Sequence, residues 1–159
     1  FEGVDFFSND YLGFAREEEI HNQALEKLQS FSNNRNGSTG SRLLSGNHLA
    51  YEQLEQTLCE TFEVEAALVY NSGFSANTGW ISAILQKNDL VLYDALCHAS
   101  IRDGLKMSAA KSYKFKHNDL SDLKNKYEQF KEYKNVYLIT ESVCSVDGDF
   151  APLDKLKGF

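Results

Sequence analysis

Three stretches of this chain place chemistry-bearing side chains just past apolar runs: NSGFSAN (71–77), DALCHAS (94–100) and ESVCSVDGD (141–149). In the second, His98 follows Asp94 by four positions, in a chain with four histidines in all. In the third, Glu141 ends a strongly apolar run, where a carboxylate is costly unless it is paired or placed at a site. In the first, Ser72 and Gly73 turn a strand-like run into a helix. Such a start leaves free N–H groups at the positive end of the helix dipole, which suits a phosphate. Gly73 allows close backbone approach, and Ser72 or Ser75 can add a hydroxyl. The competing interpretation is an ordinary strand–helix turn with a serine cap.

Other chemistries fit less well. Asp94, Cys97 and His98 match no zinc spacing, so no metal is expected. A hydrolase built from Ser72, His98 and Asp94 would lack the G-x-S-x-G elbow. No G-x-x-x-x-G-K-[ST] loop exists, and GSTG at 37–40 does not complete a dinucleotide fingerprint. A flat imidazole can also stack on a planar cofactor, or it can simply bond near a helix start. Spacing does not choose between these. His117 has a plainer place, just before a helix cap, and Asp147-Gly148 is a tight hairpin turn with Ser145 near the same edge.

The elements that must position these residues follow from periodicity. Ile20, Ala24, Leu28 and Phe31 recur at helical spacing over 17–31. A polar loop, 32–47, leads to Asn47, the expected cap of a helix bearing Tyr51, Leu54, Leu58 and Phe62. Beyond Glu65 strands and helices alternate: strand 66–70, helix 75–86 with Trp80, Ile84 and Leu85 inward, strand 89–94, and helix 99–107. Strand 112–116, a helix over 120–130 capped by Asn118 or Asp119, and strand 135–142 complete the series. Such alternation implies an α/β fold with a partial three-layer, mostly parallel sheet and flanking helices. In open parallel sheets ligands bind beyond the carboxyl ends of the strands, so the three stretches should converge on one edge. A further amphipathic helix begins at APLDKLKGF (151–159), as though the sheet continued past it.

Length and composition bound the function. The chain has 159 residues and a formal net charge of −7, which argues against a nucleic-acid or acidic-membrane footprint. No stretch is long or apolar enough to span a bilayer, and the first residues carry no basic n-region or secretion-type apolar run. Cys59, Cys97 and Cys144 are odd in number, far apart and never in a C-x-x-C pair, which fits a reducing, cytoplasmic setting better than a disulfide framework.

SNDYLG (8–13), GSTGSRLLSGN (37–47), SGFSAN (72–77), DALCHASIRDG (94–104), KHND (116–119) and ESVCSVDGDFAPL (141–153) occur in this order. Together they closely resemble the pyridoxal-phosphate (PLP)-dependent α-oxoamine synthases. That resemblance implies the N-terminal half of a fold-type-I large domain, with 1–47 an arm, helix and dimer-interface loop and 48–159 the start of the PLP-binding domain. It implies decarboxylative condensation of an amino acid, expected to be alanine, with an acyl-CoA or acyl-carrier thioester, expected to be pimeloyl. Ser72, Gly73 and Phe74 would hold the cofactor phosphate. His98 would stack on the pyridine ring and help position the substrate carboxylate, as the catalytic candidate. Glu141 and Ser145 would line the cofactor pocket, and Asn9 would bind the amino-acid carboxylate. A homodimer is implied, with the 37–47 loop close to the partner's active site. The family's Schiff-base lysine and pyridine-nitrogen aspartate motifs do not occur here and belong beyond residue 159, so this stretch alone is expected to be inactive. A glycine C-acetyltransferase or serine palmitoyltransferase-like member and a non-catalytic module are the alternatives.

Overall fold

A computed structural model of the chain describes residues 3–31 and 37–157. The first five residues of the expected 32–47 loop therefore lie outside the described residues. The chain divides into two compact units, Phe1–Val69 and Tyr70–Phe159.

In the first unit, helix α1 (Glu18–Ser30) follows a short 3-10 turn at Phe14–Arg16, and α2 runs Leu49–Phe62. His48, not Asn47, caps α2: its Nδ1 accepts the N–H of Ala50 at 3.1 Å. Asn47 is engaged elsewhere, accepting from Arg42 Nε at 3.1 Å and donating to Glu52 at 2.6 Å. Arg42 grips Glu55 with both terminal nitrogens, at 2.5 and 3.0 Å, and lies over the Tyr51 ring. Glu55 also accepts the N–H of Val69, at 2.9 Å. The Arg42 guanidinium, helped by that amide, holds the Glu55 carboxyl down at about 2.

The expected strand at 66–70 does not form. Its residues alternate between half-buried and exposed, as a strand would, but no neighbouring strand pairs with them among the described residues. An apolar alternating run supplies one edge of a ladder; it cannot supply the partner.

The second unit is built on a three-stranded parallel sheet. Its strands are β1 (Asp89–Asp94), β2 (Lys111–Phe115) and β3 (Asn135–Ile139), in the order β2-β1-β3. Central β1 is Asp-Leu-Val-Leu-Tyr-Asp, and its side chains alternate between two cores, as a period of two requires. Leu90 and Leu92 face Phe115 and Leu123, whereas Val91 lies with Ile81, Leu85, Cys97, Ile101 and Leu105. Helices α3 (Gly73–Ile84) and α4 (Ala99–Met107) cover the second face; α5 (Leu120–Gln129) and Leu156 of α6 (Leu153–Leu156) cover the first. Both faces of β1 are therefore buried, as for a central strand of a parallel sheet, which explains why DLVLYD is nearly continuous in apolar character, whereas β2 and β3 keep exposed positions.

Two local expectations change. Trp80 and Ile84 do not point inward; they are 49% and 40% exposed, and the buried face of α3 is Ile81 and Leu85. That helix is apolar on several sides, so sequence contrast does not mark which side packs. The final strand stops at Ile139, which leaves Glu141 past its end.

Close packing of α3 on α4 depends on Gly104. A Cβ at this position would lie 3.0 Å from the Ile81 Cβ and 3.1 Å from the Asn77 carbonyl oxygen. Gly104→Val is expected to pry the helices apart and destabilise the fold by about 1–3 kcal/mol, the usual range for overpacking. A lowered urea midpoint at unchanged m-value would show it, and an unchanged midpoint would refute it.

Candidate functional site

The carboxyl ends of β1 and β3 lie side by side, and the chain leaves them toward opposite faces: α4 on one, α6 on the other. This is a topological switch point, where open α/β sheets form their ligand crevice. His98 and Glu141 meet across it. The backbone N–H of His98 donates to Glu141 Oε1, and Glu141 Oε2 accepts the N–H of Ser145 at 3.3 Å. The acid that ends the apolar run is thus satisfied by two backbone amides.

His98 is the cap of α4. Its Nδ1 accepts the N–H of Ser100 at 3.2 Å and lies 2.7 Å from the Ser100 hydroxyl. Ser100 is fully buried, and its Oγ in turn accepts from Asn77 Nδ2 at 2.9 Å. With two donors on Nδ1, the ring proton resides on Nε2, and the exposed edge of the imidazole is a fixed donor. Asn77 belongs to the first turns of α3, so the same bond ties the N-terminal end of α3 to that of α4.

At α3, Ser72 is the cap: its Oγ accepts the Ser75 N–H at 3.1 Å. Gly73 and Phe74 are the first two helical residues, and their amides have no intrahelical acceptor. A Cβ at Gly73 would meet nothing within 4 Å, so the space before the helix is open. The turn combines orphan amides, a helix of twelve residues and an unobstructed approach. An oxyanion is the natural occupant. Asn9 lies in the first unit, exposed, in a turn where Asp5 Oδ1 accepts the amides of Phe7 and Ser8.

One cluster was not legible in the sequence. His117, read as a residue before a cap, is bound on both sides: Nδ1 donates to Asp94 at 2.8 Å, and Nε2 to Asp149 at 3.0 Å. Asn118 repeats the pattern. Its backbone N–H donates to Asp94 at 3.0 Å and its amide to Asp149 at 2.9 Å. The signal was in the register: Asp94 pairs with Phe115, only two residues before His117. His117, Cys144 and Asp149 also bring ligand atoms within 4.8 Å of one another, but both imidazole nitrogens are already spent on carboxylates.

Asp94 first, and then Asp149, push the imidazole up to about 9. Asp149, bonded to His117, is held below the usual carboxylate range. The other titratable groups facing the corner are Cys144 of the hairpin, Glu141 and Cys97, with Lys116 and Asp122 alongside. Burial raises the Cys97 thiol to about 11, so it stays protonated here. A folded pKa above the unfolded value of 6.5 means the stabilisation is complete below that pH and is lost as pH rises through about 9. Urea stability measured from pH 6 to 9.5 should therefore fall across this window, and His117→Gln should flatten the slope. An equal slope in the variant would refute the assignment.

No helix of the described residues is long and apolar enough to cross a membrane. Comparison with known proteins fits the geometry. A family profile described as aminotransferase class I and II matches residues 2–159. A putative 8-amino-7-oxononanoate synthase of Methanococcus vannielii is 45% identical over 153 residues, covering 96% of this chain and 40% of its own length. The 8-amino-7-oxononanoate synthase of Haemophilus ducreyi is 40% identical over 161 residues, with 96% and 40% covered. The chain thus spans about two-fifths of the length of these relatives. Among solved structures, the Sphingomonas wittichii serine palmitoyltransferase superimposes with a TM-score of 0.85 at 32% identity, over 94% of this chain and 37% of that one. The 8-amino-7-oxononanoate synthase of Francisella tularensis gives 0.74 at 28% identity, over 98% and 42%. The α/β architecture, with its parallel sheet and flanking helices, is that of the N-terminal portion of fold-type-I PLP-dependent transferases. By its sequence match and by its fold, the chain belongs to the aminotransferase class I and II family.

Proposed function

We propose that this chain is the N-terminal part of a PLP-dependent α-oxoamine synthase that condenses alanine with a pimeloyl thioester, a reaction whose product would be the 8-amino-7-oxononanoate for which its relatives are named. One observation carries this reading most directly. The open amides at the start of α3 and the exposed ring of His98 are joined by the Asn77–Ser100 bond at the switch point of a parallel sheet. An anion seat beside a flat ring with a fixed Nε2 proton fits a planar phosphorylated cofactor. The relatives' names support the choice, and one serine palmitoyltransferase was solved with PLP.

In this reading Ser72, Gly73 and Phe74 hold the phosphate by backbone N–H groups. His98 stacks on the ring and orients the substrate carboxylate, for which Asn9 supplies a further donor. Glu141 fixes the backbone at His98 and lines the pocket with Ser145. Bound PLP supplies the electron sink for loss of carbon dioxide and acyl transfer. The chain's own residues bind, orient and hold a proton at Nε2. Leu43 and Leu44, 94% and 85% exposed, belong to the loop assigned to a homodimer interface, and covering them favours association. The enzyme would be cytoplasmic. Residues 1–159 contain no lysine in the family's matching context, so this stretch alone should not turn over.

The test uses the full-length enzyme with PLP. A visible absorbance band should appear, alanine should perturb it more than glycine or serine, and coenzyme A should be released from pimeloyl-CoA. Absence of the band overturns the enzyme reading. A response confined to serine or glycine would favour a second reading, a serine palmitoyltransferase-like or glycine C-acetyltransferase-like member. The higher TM-score of the Sphingomonas wittichii serine palmitoyltransferase, 0.85 against 0.74, speaks for the first of these.

A further inference from the structure

We propose that His117 is a positioning residue for this site: it clasps the hairpin 143–150 to the end of β1 and thereby sets Glu141 and Ser145 against His98. The inference rests on the function proposed above.

The hairpin is closed by its own backbone. Cys144 N–H donates to the Asp149 carbonyl at 2.8 Å, Gly148 N–H to the Cys144 carbonyl at 2.9 Å, and Ala151 N–H to the Ser142 carbonyl at 3.1 Å. Gly148 turns it with φ 71°, a conformation a glycine adopts without strain. What fixes the hairpin to the sheet is a separate matter. Val143, Val146 and Phe150 are exposed, and Cys144 is its one buried side chain. Apolar burial therefore does little to hold it.

The polar attachments are few and all converge. Glu141 receives the amides of Ser145 and His98 at one end. At the other, the His117–Asn118 corner holds Asp149 with His117 Nε2 and the Asn118 amide, and Asn118 reaches the Phe150 carbonyl at 3.4 Å. The same corner is anchored to β1 through Asp94, which accepts from His117 Nδ1 and the Asn118 N–H. Asn118 adopts φ 52°, a left-handed conformation that asparagine tolerates better than most residues and that turns its N–H toward Asp94. The His117 ring, with Asn118 beside it, thus links the carboxyl end of β1 to the hairpin that carries Ser145 and follows Glu141. Small displacements of such a loop are costly, because about 1 Å of misplacement can lower a rate about 100-fold.

The experiment compares full-length wild type, His117→Gln and Asp149→Asn, all loaded with PLP. Amide hydrogen exchange reads the hairpin directly, and induced circular dichroism of the cofactor band reads ring orientation. Both variants should accelerate exchange in 142–151 and at the His98 amide about tenfold or more, a loss of the size expected for one charged hydrogen bond. Amides of Leu90–Leu92 and Ile101–Leu105 should be unchanged, the dichroic band should shrink, and kcat should fall more than KM rises. The double variant should fall short of the sum of the two single effects, since both remove the charged His117–Asp149 bond. Should His117→Gln fail to fold, Asp149→Asn keeps the inner pair with Asp94 and still weakens the clasp, replacing its charged acceptor by a neutral one.

Unchanged hairpin exchange overturns the proposal. Faster exchange with an unaltered dichroic band also overturns it, because the clasp would then be structural only. A wild-type protein that shows no cofactor band refutes the functional reading itself, and that is seen before any substitution is made.

Discussion

Replacing His98 by asparagine in the full-length enzyme is expected to lower kcat/KM about 100-fold, the scale of a lost orienting contact, while leaving stability almost unchanged. The choice of asparagine follows from what His98 does locally. Its Nδ1 caps α4 by accepting the Ser100 N–H. Asparagine is among the best capping residues, so the cap survives the substitution, whereas alanine would also cost about 1 kcal/mol of helix stability. What asparagine removes is the flat ring and its Nε2 donor. Glu141 still receives the backbone N–H of residue 98, because that bond involves no side chain of this residue. A drop in kcat/KM at constant urea midpoint would therefore belong to the ring alone. His98→Phe supplies the complement: it keeps a ring for stacking and loses the cap and the donor. Partial recovery of kcat in the phenylalanine variant would assign most of the effect to stacking. A His98→Asn enzyme within about threefold of wild type, under 1 kcal/mol of transition-state stabilisation, would remove His98 from the active site.

Why this residue was legible in the sequence, while its neighbours were not, is a matter of range. His98 and Glu141 follow the runs that became β1 and β3, and a rule about strand ends is enough to place them on one edge; the Ser72 turn follows a run that forms no strand, and α3 is tied to α4 through Asn77 and Ser100 instead. α1 and α5 were likewise local, α1 announced by its period and α5 by its cap; of the two caps offered, Asp119 is the one used, accepting the amides of Ser121 and Asp122. The expectations that failed were those needing a partner. The run at 66–70 has the composition of a strand and nothing to pair with among the described residues. In α3 the packing face is selected by Gly104 on another helix, so Trp80 and Ile84 looked as eligible as Ile81. The bond from His98 to Glu141 joins residues 43 positions apart, and the one from His117 to Asp149 spans 32. Neither could be read without the register of β1 against β2 and β3. Residue identity announced the candidate site; the sheet's strand order supplied the polar framework behind it.

That framework makes Asp94 the most consequential polar residue for stability. Asp94→Ala is expected to cost about 3–5 kcal/mol, the range for breaking a buried ion pair by deleting one member. The carboxylate is 2% exposed and accepts from three donors: the Leu96 N–H and His117 Nδ1, each at 2.8 Å, and the Asn118 N–H at 3.0 Å. Alanine leaves all three without an acceptor next to a protonated imidazole. The ring would respond by losing part of its charge stabilisation, so the His117 pKa should move down from about 9 toward 6.5. Asp149 would remain as its single carboxylate partner. Asp94→Asn should fall between wild type and alanine. Its carbonyl oxygen can still accept from one or two of these donors, but its NH2 group turns a donor toward another donor. Two measurements decide the matter together, urea unfolding at pH 7 and an NMR titration of the His117 ring. A loss below about 1 kcal/mol with an unmoved imidazole pKa would mean that water reaches the corner and replaces Asp94 freely. A large loss with a lowered pKa would establish that the end of β1, buried from both faces of the sheet, is held by charge as well as by Leu90, Val91 and Leu92. The site would then take its position from a strand packed on both faces and pinned at its end by three hydrogen bonds.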